Sequence, residues 1–106
     1  MGENTFPIME KLLKDTDRDV KEFAILAVYE YKFRRFIPAL INALTDPEFR
    51  IAQSAVRGLG ELEVKEAADT LMYFLENPRE GLRQDLLLSA LSKIGCVRIM
   101  PYLEKN

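Results

Sequence analysis

The chain has 106 residues, 48% hydrophobic and 30% charged, with a formal charge of −2, one cysteine and no histidine. Those proportions describe a folded domain with a core and exclude a charge-dominated disordered segment. The weakly acidic balance lacks the positive field that draws proteins to phosphate backbones, and a lone Cys96 excludes an internal disulfide.

No apolar run approaches the ~20 residues needed to span a bilayer. Met1-Gly2-Glu3-Asn4-Thr5 has neither a basic start nor an apolar stretch, so a cytoplasmic protein without a membrane segment is expected. Internal repetition organises the rest. Pro7, Pro38 and Asp69 stand 31 residues apart, as do Leu13, Leu44 and Leu75, and Val20, Ile51 and Leu82. Ala24, Val28 and Tyr31 recur at Ala55, Leu59 and Leu62, and then, after one inserted residue in Pro78-Arg79-Glu80-Gly81, at Leu87, Leu91 and Ile94.

Each unit reads as two helices, with predicted spans of about 7–14, 17–32, 36–45, 47–60, 64–76, 79–94 and 98–104. In the fourth span Ile51, Ala55, Gly58, Leu59 and Leu62 fall on one stripe at helical spacing, and the alternation of a strand is missing. Thr16 with Asp19 resembles a capping box ahead of the second span. Asp46 is expected to cap a helix opened by Pro47 and closed by Gly60, and Asn77-Pro78 with Gly95 repeats that device. The fold expected is all-α: an α-α superhelix of about three helix-pair repeats, at about 7–37, 38–68 and 69–100, plus a terminal half repeat at 101–106, forming one domain.

The run Ile37-Pro38-Ala39-Leu40-Ile41 through Leu44-Thr45-Asp46-Pro47 to Leu59-Gly60 resembles a unit of the HEAT-like repeats of phycobilisome lyases. Repeat one departs from the pattern at Thr16 and at Val28-Tyr29, and repeat three at Asp69 and its inserted residue. The resemblance covers Pro7 to Leu103 and implies a HEAT-like solenoid. Its implications for function diverge, because such repeats serve as interaction scaffolds and also occur in enzymes and chaperones.

The absence of histidine removes Ser-His and Cys-His nucleophile pairs and imidazole metal sites, so neither catalytic residues nor a metal or other cofactor is expected. Cys96 reads as a small packed residue. Glu61 with Glu63, and Asp17 with Asp19, read as cap and turn carboxylates rather than as acid–base pairs. Lys32, Arg34 and Arg35 read as cations offsetting the C-terminal end of the second helix, with Phe33 and Phe36 anchoring the turn. Gly58 and Gly60 lack the Lys-Ser or Lys-Thr of a phosphate loop.

In this family's stacking the second helices line the concave surface. Helical geometry then selects Arg18, Glu22, Leu26 and Tyr29 from repeat one, Phe49, Gln53 and Arg57 from repeat two, and Asp85, Ser89 and Ser92 from repeat three. A mixture of aromatic, aliphatic and Arg side chains is the composition of protein-binding hot spots. The expected function is a non-catalytic scaffold or adaptor gripping a protein or peptide there. The alternative is a lyase-like or chaperone-like subunit that handles a pigment or small molecule together with a second chain. Nucleic-acid binding ranks last, because Glu22 and Asp85 interrupt the cations Arg18, Arg57 and Arg83. The C-terminal end, with Val97, Ile99, Met100, Tyr102 and Leu103, is expected to self-associate or seat another chain, unless Glu104 and Lys105 rim a helix that seals repeat three.

Overall fold

The computed structural model describes residues 6–79 and 82–101. They form six α-helices with no strand among them: α1 (Phe6–Leu13), α2 (Arg18–Glu30), α3 (Ile37–Ala43), α4 (Phe49–Glu61), α5 (Ala68–Glu76) and α6 (Gln84–Ile94). Short 3-10 turns at Arg34–Phe36, Lys65–Ala67 and Val97–Ile99 lead into α3, α5 and the helical backbone of Met100 and Pro101. The spacing of these turns keeps the repeat period, and each buries one apolar side chain at the same position: Phe36, Ala67 and Ile99.

α1 pairs with α2, α3 with α4, and α5 with α6, while α2, α4 and α6 pack on one another in succession. The first helices approach each other more sparsely than the second helices do. Between the layers lies one continuous core, in which the repeat-equivalent Val28, Leu59 and Leu91 are each completely or almost completely removed from water.

The second helices stop by one shared device. Lys32, Glu63 and Gly95 are equivalent residues, and all three take positive φ, at 57°, 52° and 89°. The amides that follow them, of Phe33, Val64 and Cys96, reach back to the carbonyls of Val28, Leu59 and Leu91 at 2.8, 3.0 and 3.0 Å, the closure of a left-handed helix stop. Gly95 is thus a helix stop as expected, whereas Gly60 is not. Gly60 lies inside α4, buried, where a Cβ would sit 2.9 Å from the Ala90 Cα. The absence of a side chain there serves the approach of α6.

The second helices also begin differently from their predicted starts. α2 is capped by Asp17, whose Oδ1 accepts from the amides of Asp19 and Val20, so the Thr16–Asp19 box does not form. Asp46 accepts from the Glu48 amide at 2.9 Å, a turn two residues before the N-cap position of α4, which Glu48 occupies, rather than a cap on the helix itself. Asn77 donates to the Tyr73 carbonyl at the end of α5 and caps nothing ahead of it. α6 starts at Gln84 rather than near 79, because Arg79 turns back to repeat two, donating to the Leu44 carbonyl at 2.6 Å and to the Asp46 carbonyl. The cluster Lys32, Arg34 and Arg35 lies beyond α2, which closes at Tyr31. Lys32 makes the left-handed turn, Arg34 donates to the carbonyl of Leu62, the C-cap of α4, at 3.1 Å, and Arg35 lies 3.7 Å from Glu10 of its own repeat, so Arg34 serves the end of α4 rather than that of α2.

Asp46 joins three repeats. Its Oδ1 takes the Glu48 amide, its Oδ2 takes Lys21 Nζ at 2.9 Å, and its carbonyl takes Arg79. Partial burial pushes its carboxyl pKa up, and the Glu48 amide, the Lys21 ammonium and the Arg79 charge more than reverse that push, leaving it below the ordinary value. A depressed folded-state pKa means stabilisation that is complete above the unfolded value of ~4 and lost as pH falls through the lower folded value. Asp46→Ala should cost about 1–3 kcal/mol in urea unfolding at pH 7, the range for a charged acceptor removed from a part-buried site. That gap should close as pH falls below ~4, and a gap equally large at pH 3 would contradict the role of the carboxylate. At the helix stops, Glu63→Gly should raise stability by up to ~1 kcal/mol by relieving a left-handed L-residue. A lower unfolding midpoint would show that the Glu63 side chain contributes more than the backbone strain costs.

Candidate interaction face

Successive second helices place equivalent residues side by side. Leu26, Arg57 and Ser89 form one such row, and all three are exposed. Glu22, Gln53 and Asp85 form the row beside it, and Phe49 stands at the start of α4, half exposed at 50%. Two shallow clefts run between the helices. One, of about 150 Å³, is lined by Glu22 of α2, by Arg50, Gln53, Ser54 and Arg57 of α4, and by Leu86 of α6. The second, of about 170 Å³, continues past Arg57 and Leu86 to Ser89, Glu61 and Lys93. Arg57 and Leu86 belong to both, so the clefts form one groove across α4 and α6.

The residues selected from the sequence divide by what holds them. Arg18 reaches Glu48 at 3.4 Å, Glu22 takes Arg50 at 2.8 Å and the Ser54 hydroxyl at 3.3 Å, and Asp85 takes Arg83 at 2.8 Å. Tyr29 is half-buried over Gly58, where a Cβ would come within 2.8 Å of its ring, so its bulk fills the joint between α2 and α4. Phe49 is half exposed, and Leu26, at 36%, keeps about a third of its surface open beside its neighbours. Arg57 has no hydrogen bond or ion pair among the described residues, although its charge helps lower the Glu61 pKa. Lys93 lowers it more, through its hydrogen bond and its charge. Ser92 is exposed on α6.

Arg50, Ser54, Leu86 and Lys93 complete the groove and were not selected from the sequence. The signal was present in the period: Glu22 with Arg50, and Glu61 with Lys93, are opposite charges one repeat apart to within a helical turn. The other cation sources do not merge into a basic face, since Arg18 and Arg83 are both matched by carboxylates. Elsewhere, a groove of about 280 Å³ opens between α1 and α3, with the Lys21–Asp46 pair among its walls. Cys96 is half-buried, and no group of three or more metal-binding side chains occurs among the described residues. At the C-terminal end Val97 and Met100 are exposed and Ile99 is buried, while Tyr102, Leu103, Glu104 and Lys105 lie outside the described residues.

Stacked antiparallel helix pairs with a continuous core and a grooved second-helix layer define an α-solenoid repeat protein. The family model for HEAT repeats matches residues 6–101, and the chain belongs to the HEAT repeat family. A search of curated proteins finds no match. No helix among the described residues is long and apolar enough to cross a membrane.

Proposed function

We propose that this HEAT repeat chain is a non-catalytic scaffold that binds a protein or peptide across its second helices, working as one unit. The observation that carries the reading is the combination of exposed Leu26, Phe49 and Arg57 with neighbours already fixed by the Glu22–Arg50 and Glu61–Lys93 pairs. A partner then meets exposed apolar and guanidinium groups on a face whose flanking ion pairs are already formed. HEAT repeats commonly serve as such scaffolds, which agrees with this reading. The finer resemblance to repeats of phycobilisome lyases, and the pigment-handling subunit it implies, rests on the Ile37-Pro38 start, the Asp46-Pro47 turn and the Leu59-Gly60 end. Pro38 opens α3, Asp46 links repeats, and Gly60 lets α6 approach α4. All three motifs therefore speak for stacking, and the scaffold reading stands first.

Peptides selected from a randomised display library on the immobilised protein give the test. Amide shift changes should centre on Leu26, Phe49, Gln53, Arg57 and Ser89. Phe49→Ala and Arg57→Ala should each weaken binding by more than about fivefold, equivalent to ~1 kcal/mol, without lowering the unfolding midpoint. Lys11→Ala, on the first-helix layer, should have no effect. Shifts confined to α1, α3 and α5, or equal losses from both layers, would contradict the reading.

A further inference from the structure

The groove of about 280 Å³ between α1 and α3 lies in the layer of first helices, away from Arg57. Its apolar lining is Leu13 of α1, Ala39 and Ala43 of α3 and Phe36 in the turn before α3, with the buried Ile25 of α2 beneath them. Leu13, Ala39 and Ala43 are each only half-buried. The next joint of the same layer is built differently. One period on, Phe74 stands in the place of Ala43 and Ile41 in the place of Glu10, and both are half-buried against the core. The position that carries a benzyl group on α5 thus carries a methyl group on α3. The repeat geometry accommodates a ring there, and the sequence of repeat two leaves the ring out. Phe36 borders the opening and offers its own ring for an edge-to-face contact.

The charged residues of this groove are Glu10, Lys14, Lys21 and Asp46. Both carboxylates are matched: Glu10 has Arg35 at 3.7 Å, and Asp46 has Lys21 at 2.9 Å. The carbonyl ends of the two helices are matched as well. That of α1, equivalent to about half a negative charge, has Lys11 in its last turn, and the Leu44 and Asp46 carbonyls beyond α3 take Arg79. Lys14 remains, exposed and without an ion pair among the described residues. Lys21 stands beside it in the lining, and among the described residues its ammonium donates to Asp46 alone. The charge left over in the groove is therefore positive. We propose that it binds a small aromatic carboxylate, with the ring seated among Leu13, Phe36 and Ala43 and the carboxylate, a few bonds away, meeting Lys14. A volume just under the ~300 Å³ at which ordinary ligand pockets begin limits the occupant to one ring and one charged group. This site does not rest on the scaffold reading, and each can fail without the other.

Titration of the full chain with hydrocinnamate, followed by amide shifts, is the test. Saturable shifts should fall at Leu13, Lys14, Ala39 and Ala43, with a Kd of about a few millimolar, the strength available to so few ligand atoms. Hydrocinnamide, which keeps the ring and loses the charge, should bind about three- to fivefold more weakly, and the cation phenylpropylamine more weakly still. Lys14→Ala should bring the acid down to the affinity of the amide and leave the amide unchanged. Ala43→Phe, which installs the residue of repeat three, should abolish the binding of both and raise the unfolding midpoint by filling the opening. If that variant does not fold, Ala43→Leu fills the same space with less bulk and should also lose both ligands. Equal binding of acid, amide and amine, shifts outside the groove, or undiminished binding by a folded Ala43 variant would overturn the proposal. Binding of a phenylalanine-bearing peptide in the groove without binding of hydrocinnamate would assign it to a protein partner and overturn it equally.

Discussion

One carboxylate sets the register of this solenoid. Asp46 sits in the turn between α3 and α4 and gathers polar contacts from three repeats: Lys21 from the first, the Glu48 amide from its own and Arg79 from the third. A part-buried carboxylate in such a place has to be matched, because an unmatched charge removed from water costs several kcal/mol. The match is made by the local Glu48 amide together with Lys21 and Arg79 from the repeats on either side, so the turn is fully matched only when those repeats are stacked. The inserted residue of repeat three follows from the same demand. Arg79 bends back to the carbonyls of Leu44 and Asp46, and α6 begins only at Gln84, after the chain has left that junction.

With the turns locked on the first-helix side, the second helices close up on the other. Tyr29 lies over Gly58, and Gly60 meets the Ala90 backbone. The resulting close layer leaves an exposed row along its outer side, Leu26, Arg57 and Ser89. The ion pairs that cross each joint have a second consequence. They consume Arg18, Glu22 and Arg50 internally and leave Arg57 as an exposed guanidinium beside apolar neighbours. Stacking and the proposed binding are thus divided between two sets of residues on the same helices.

The repeat period was legible because the buried positions obey it: Leu44 and Leu75, Ile51 and Leu82, and the series Val28, Leu59 and Leu91 all lie in the core. The end of α6 was legible because Gly95 is a glycine, and the equivalent stops at Lys32 and Glu63 were not, because only the tertiary closure onto Val28 and Leu59 forces those residues to positive φ. Gly60 was misread as a stop for the same reason: its purpose is a contact with a residue 30 positions later. Leu26, Phe49 and Arg57 could be placed on an exposed helical face from spacing alone. Their partners in the groove, Leu86 and Lys93, required knowing which edges of α4 and α6 meet.

If contacts between repeats hold the chain together, the unit with neighbours on both sides opens last. Amide hydrogen exchange of the free protein reads this residue by residue. The expected result is strongest protection in the middle of α4, around Ala55, Val56 and Leu59, weaker protection in α2 and α6, and least in α1. Protection of α1 equal to that of α4 would mean that each helix pair is stable without its neighbours, and would contradict a fold held together by the Asp46 junction and the close second-helix layer.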